Sequence, residues 1–228
     1  MTPPILHNRQ SWLLLLTGTY CVISVMMNYL CMKPLSFGTS FVWMDGGLLI
    51  SWIVFLISNV IVEAYGKRTA IFVTGIAALL TLIISFLGLL EVYLPTMPQY
   101  TDQATHFAFI FSNGPRTILA SAIAFFIGNW VNVSVIASLK AQQTASARNF
   151  WVRAVLSTIV GQIADNSLFQ VLAFAPIGIS RYEMLWTDIW TAVGMSSLFE
   201  TIVEAFFVPL ITIPLTTYIT HLTNDDHI

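Results

Sequence analysis

The chain alternates long apolar runs with short polar breaks, and six runs stand out at about 12–32, 41–62, 69–92, 116–139, 152–175 and 196–221. A helix of about 20 residues, rising about 1.5 Å per residue, crosses the apolar thickness of a bilayer. The pattern therefore predicts an all-α polytopic membrane protein with six transmembrane helices in a single domain over 1–228. An even split would give three spans and three of opposite orientation, the inverted-repeat arrangement. No internal sequence similarity accompanies that 3+3 division.

Polar residues inside the runs carry the most information. The fifth run lies within 147–174, ARNFWVRAVLSTIVGQIADNSLFQVLAF, and holds Gln162, Asp165 and Asn166 near its centre. An aspartate at mid-membrane costs about 2.5–3.5 kcal/mol on insertion scales, so Asp165 is expected to face protein or a wet cavity rather than lipid. Thr158, Gln162, Asp165 and Phe169 share one helical face. Ser157, Gly161 and Ala164 form an adjoining stripe of small residues that lets a neighbouring helix approach closely. The plain alternative for Asp165 is a hydrogen-bonding node, or an arginine pair that holds helices together.

The second run ends in SNVIVEAYGKR, where Trp52, Asn59 and Glu63 follow at seven- and four-residue spacing on one face. Glu63 is equally well read as a ligand or as an ion pair with Arg153 or Arg68. Tyr65-Gly66 permits a tight exit, because glycine takes positive φ without a Cβ clash. The fourth run places Asn129 and Asn132 on one face with Trp130 beside them, and amides in hydrocarbon need partners. The sixth holds Glu200 and Glu204 at i,i+4, a carboxylate pair that could carry a transported proton or form a vestibule pair neutralised by Arg181 or Arg116. Asn28 adds a buried amide in the first run. Pro209 and Pro214 predict a kinked or broken last helix.

Composition agrees with the pattern, since 57% of residues are hydrophobic, 9% are charged and the mean hydropathy is +0.79. A soluble globular chain is excluded on those values. The net charge of −2 says nothing about partners, and no basic run long enough to attract nucleic acid appears. Arg9, Lys67, Arg68, Lys140, Arg148 and Arg153 fall on one side of the spans, against Lys33, Arg116 and Arg181 on the other. The positive-inside rule then puts both termini in the cytoplasm. The first run is longer than a signal-peptide core and reads as a retained span. Trp12 and Trp151 would sit at the inner interface, with Trp43, Trp186 and Trp190 at the outer one. The loop at 93–115, with Phe107, Phe109 and Phe111, reads as an interfacial helix or lid. Cys21 and Cys31 are about 15 Å apart along one helix, too far for a disulfide, and no metal-ligand cluster or cofactor motif occurs.

Carboxylates, amides and aromatics thus converge toward one depth of a helical bundle. Such a pocket suits a flat polar heterocycle with a purine-like edge, stacked on Trp52 or Trp130. Nucleophile–base arrangements, phosphate loops and ATP-binding motifs are missing from the sequence, so an enzyme is disfavoured and transport would be secondary or facilitated. A substrate-binding membrane subunit energised by separate ATPases is the alternative. Small-residue stripes serve packing within a bundle as readily as a homodimer.

The motifs resemble a known family. Glu63-Ala64-Tyr65-Gly66-Lys67 is similar to its D-x-x-T-E-x-Y-G signature. Arg153, Ser157-Thr158, Gly161-Gln162, Asp165, Phe169 and Ala173-Phe174 resemble its R…S-T…G-Q-x-x-D-x-x-x-F…A-F block. This is the queuosine precursor transporter family, also called the vitamin uptake transporter family. The resemblance implies an inner-membrane importer of 7-deazaguanine compounds, with Glu63, Arg153, Gln162 and Asp165 at or near the site. Asn59 stands where the signature usually has Asp, Val62 where Thr is frequent, and Glu200 where some members carry a basic residue. Those departures bear on which precursor is carried and on ion coupling.

Overall fold

The computed structural model describes residues 8–31, 33–35, 44–111, 115–142, 147–178 and 183–225. Its helices are α1 (Arg9–Leu30), α2 (Leu48–Tyr65), α3 (Lys67–Val92), α4 (Thr101–Phe111), α5 (Pro115–Gln142), α6 (Ala147–Phe174), α7 (Trp186–Phe207) and α8 (Ile213–Asp225). A π-helical segment, Val208–Thr212, joins α7 to α8. Among the described residues the β structure is one two-residue antiparallel pair, β1 (Pro34–Leu35) with β2 (Met44–Asp45).

Five helical segments among the described residues are long and apolar enough to cross a membrane: Arg9–Leu30, Leu48–Tyr65, Lys67–Val92, Arg116–Ala141 and Trp186–Leu222. At 28 residues, α6 matches them in length, at about 42 Å, but it carries the polar face that holds Gln162, Asp165 and Asn166. It packs between α5 and α7. The surface is apolar where a soluble protein would be polar, with Leu14, Phe72, Phe86, Ile202 and Phe206 all outward. Ser58, Asn59, Asn129, Asn132, Thr158, Gln162 and Glu204 are buried instead. That inversion, with every long element helical, describes an all-α multi-pass membrane protein.

Two of the expected boundaries move. The second helix begins at Leu48 rather than at 41, because Gly46-Gly47 forms a turn after β2; positions 41–43, and with them Trp43, lie outside the described residues. The last helix begins at Trp186, ten residues before the expected start, so Trp186 and Trp190 belong to its first turns. Asp188 in that first turn is favoured by the helix dipole. Pro209 does not break the element: its missing N–H falls within the π segment, which spares an α-type bond, and helical backbone continues into α8. Gly66 takes φ +89° between α2 and α3, the tight exit its sequence permits.

The closest helix pair is α5 with α6. A Cβ on Gly161 would lie 2.7 Å from Asn132 Cβ and 3.0 Å from the Gly128 carbonyl oxygen, and one on Gly128 would lie 2.5 Å from Asp165 Cβ. Glycines on both sides are what let these backbones touch. The 93–115 loop contains a helix, α4, whose Phe111 lies against Gly88 of α3 and 4.9 Å from the Tyr29 ring.

Candidate functional site

Three polar rungs cross the bundle, each joining α2, α6 or α7 at successive depths. At one end Glu63 pairs with Arg153 at 3.2 Å and with Lys140 at 3.3 Å, and Lys140 Nζ also donates to the Glu63 carbonyl at 2.9 Å. Arg153 is buried, with its guanidinium 5.7 Å from the Phe150 ring. Arg9 joins this end, donating to the Ala64 carbonyl while its own carbonyl accepts from Tyr65 Oη at 2.7 Å. Of the two readings of Glu63, the structure places it in an ion pair with Arg153, away from the cavity described below. Glu63→Gln would strand a buried guanidinium, a change that costs about 3–5 kcal/mol. Its melting temperature in detergent is expected to fall well below that of Lys140→Gln, since Lys140 is 44% exposed.

The middle rung is a closed network. Glu204 Oε1 accepts from Asn59 Nδ2 at 2.7 Å and from Thr158 Oγ1 at 2.6 Å. Asn132 Nδ2 donates to Asn59 Oδ1 at 3.0 Å. All four side chains are fully buried and come from α7, α2, α6 and α5. Gln162 stands one turn further along α6, accepting from Thr201 Oγ1 at 3.1 Å. Gln162 Nε2, Asn129 Oδ1, Asn132 Oδ1 and Glu204 Oε2 are buried with no hydrogen-bond partner among the described residues.

The third rung borders a cavity. Asn166 Nδ2 donates to Glu200 Oε2 at 3.0 Å and to Ser197 Oγ at 3.1 Å, while Ser51 Oγ donates to Glu200 Oε1. Asp165 and Asn166 are half-buried and reach the same cavity, which also meets Asn28, Ser121, Phe125 and Phe169. Asn28 accepts from Ser121 and donates to the Ser24 carbonyl at 2.8 Å. The cavity volume is about 60 Å³. Ligand pockets hold about 300–1,000 Å³, so a bicyclic ligand requires the surrounding helices to part. Among the described residues two carboxyl side chains and no Lys, Arg or His line it, which makes it an acceptor-rich chamber.

Asp165, Asn166 and Glu200 therefore meet, and Asn59, Asn132 and Glu204 meet separately below them. The tryptophans do not reach the cavity. Trp130 is 48% exposed on the outside of α5, and Trp52 stacks on Phe207 at 4.6 Å while donating to the Leu49 carbonyl. Asn129 and Asn132 turn inward on the same helix, and a neighbouring position about 100° away cannot follow them. Phe125 and Phe169 supply the aromatic faces instead. Ser51, Ser121, Ser197 and Thr201 were not legible as site residues, although Ser121, Phe125, Asn129 and Asn132 recur at helical spacing. Arg116 does not neutralise the glutamates: its Nε and Nη2 donate to the Leu172 and Ala175 carbonyls at 2.6 and 3.1 Å, closing the end of α6. Arg181 lies outside the described residues. Among the described residues no cluster of His, Cys, Asp or Glu could hold a metal ion.

Residues 45–213 match a family described as "Putative vitamin uptake transporter". A protein of Bacillus subtilis (strain 168) described as "Probable queuosine precursor transporter" is 30% identical over 164 residues, which cover 71% of this chain. The match covers 65% of that relative's own length, less than two thirds. No solved structure matches the chain.

Proposed function

The chain belongs to the vitamin uptake transporter family, and on that premise we propose that it imports queuosine precursors, 7-deazaguanine bases or their nucleoside, for salvage into tRNA. The observation that carries the reading is the convergence of Asp165, Asn166 and Glu200 on one cavity with Phe125 and Phe169. A guanine-like edge offers N–H donors beside a carbonyl acceptor, and a carboxylate with the neighbouring Asn166 amide presents the complementary set once Asn166 gives up its donation to Glu200 or Ser197. Phenylalanine rings suit the flat apolar face. With Asp165 and Glu200 both in the chamber, a precursor whose side arm carries a protonated amine is favoured over one ending in a neutral nitrile.

Six spans complete the reading, α6 among them, with both termini in the cytoplasm of a cell whose inner membrane holds the protein. The basic end at Arg9, Glu63, Lys140 and Arg153 is then cytoplasmic, and the cavity lies toward the outer side, where an importer first meets its substrate. Transport is secondary or facilitated. The test is growth of cells unable to make queuosine, with and without this protein, on labelled precursors, reading queuosine in tRNA. Restoration is expected; no restoration despite confirmed membrane expression would sink the substrate assignment.

A chemical probe of the same cavity is available. Cys31 borders it, whereas Cys21 is buried in the apolar core. A small thiol reagent is expected to inhibit uptake through Cys31, excess substrate to slow the inhibition, and Cys31→Ser to remove it. Equal inhibition of the serine variant would show that the reagent acts elsewhere.

A further inference from the structure

We infer that Glu204, held by Asn59 and Thr158 with Asn132 behind them, is a proton-binding site distinct from the substrate cavity, and that its proton is exchanged in step with substrate at Glu200. The inference rests on the transport reading above and adds the coupling ion and the residue that takes it.

The geometry of the middle rung separates a titrating group from fixed ones. Asn132 donates to Asn59 and Asn59 to Glu204, so the amides form a directed chain whose end is the carboxyl. Amides and hydroxyls keep their protons, which leaves Glu204 as the member of the rung able to gain or lose one. Its Oε1 is occupied by two donors, while Oε2 is enclosed without a hydrogen-bond partner among the described residues. An ionised carboxylate in that position would be fully buried with one oxygen bare, a costly state that a proton on Oε2 relieves.

The surrounding charges do not supply a substitute. On α2 the charged group is Glu63, which pairs with Lys140 of α5 and with one Nη of Arg153 of α6, the cation at the far end of the bundle from the cavity. Asp165 of α6 and Glu200 of α7 are acids that reach the cavity. The π segment carries no titratable side chain, and His221 of α8 is exposed. Glu204 is thus provided with hydrogen-bond donors and no counter-cation among the described residues.

The link to substrate runs along α7. Glu200 and Glu204 are one helical turn apart and interact electrostatically, yet only Glu200 borders the cavity. A proton on Glu204 removes the repulsion that Glu200 would otherwise feel, which leaves the Glu200 charge to a substrate donor or cation. Two ligands that act on one pair of carboxyls are energetically coupled, and the coupling is reciprocal.

The experiment uses the full chain in proteoliposomes with labelled 7-aminomethyl-7-deazaguanine. With the membrane potential held at zero by equal K⁺ and valinomycin, one proton per base and an acid-outside gradient of one pH unit give about tenfold accumulation, because each pH unit is one decade of proton activity. A protonophore should abolish it. Glu204→Gln, which keeps size and the acceptor oxygen, should bring accumulation down to equilibration. Exchange of internal for external base at equal pH should stay within about threefold of wild type, as expected when only the driving ion is lost. Glu200→Gln should impair both. A second measurement is independent of the variants: with the pH raised until the free protein has given up the Glu204 proton, the heat of base binding to wild-type protein should depend on the buffer's ionisation enthalpy. Accumulation by Glu204→Gln that still follows the pH gradient, accumulation by wild type that follows Na⁺ instead, or buffer-independent heats would each overturn the inference. No exchange at all by wild type would overturn the substrate reading beneath it.

Discussion

Asp165→Asn is expected to lower uptake by about 10- to 150-fold at unchanged membrane expression, the loss that follows when a hydrogen bond to a charged group worth about 1.5–3 kcal/mol is removed. Asp165 reaches the cavity from the centre of α6. Asparagine has almost the same shape, so packing against Gly128 is retained. What changes is that one acceptor oxygen becomes an NH₂ donor, which on the proposed reading would face the N–H groups of the base. Competition experiments should show the loss as weakened binding, and most strongly for an amine-bearing precursor, because a cation loses one of the two carboxylates that line its chamber. Uptake at the wild-type level would remove Asp165 from the substrate site and return it to the role of a hydrogen-bonding node.

The second large effect is expected at Gly128, which does not line the cavity. A Cβ there would stand 2.5 Å from Asp165 Cβ, 3.0 Å from Asp165 Cα and 3.0 Å from the Gly161 carbonyl. These are backbone and near-backbone atoms, so no rotamer change clears the space. Gly128→Ala must move α6 away from α5, a strain of the order of 1–3 kcal/mol. Asp165 moves with it. Uptake should therefore fall severalfold even where the protein is still inserted, and Gly128→Val should give little folded protein in detergent. Wild-type yield and uptake for Gly128→Val would show that the two helices are not in contact at this level.

A helix fixes neighbours along itself, and for that reason Thr158, Gln162 and Asp165 could be placed on one side of α6 from spacing alone. The same logic gave the inward pair Asn129 and Asn132. Which groups meet across helices depends on tilt and rotation, and those are set by packing that no single segment encodes. The donations from Asn59 and Thr158 to Glu204, and from Asn166 to Glu200, were therefore not readable. Trp130 shows the limit of proximity in sequence: adjacent to Asn129, it points to the outside. At the ends of elements the outcome turned on polar residues that a helix tolerates. Thr187, Asp188 and Thr191 weaken the apolar signal of the last run, yet they extend its helix to Trp186. Proline was likewise an ambiguous marker, since a π turn absorbs at Pro209 what would otherwise break the helix.

The contact between Gly128 and Gly161 also decides which parts of the molecule can move. Side-chain interfaces rearrange by exchanging rotamers, whereas two backbones in direct contact have nothing to exchange and can only separate. The α5–α6 hairpin is in that sense a fixed post, and Arg153, Thr158 and Asn166 are pegs along its length. α2 and α7 lean on those pegs through hydrogen bonds and one ion pair, which can be released and remade. If the proposed substrate seats beside Asp165, it would be held between a stator and a rocker, and the seam along which it enters would be the seam that must open to let it pass.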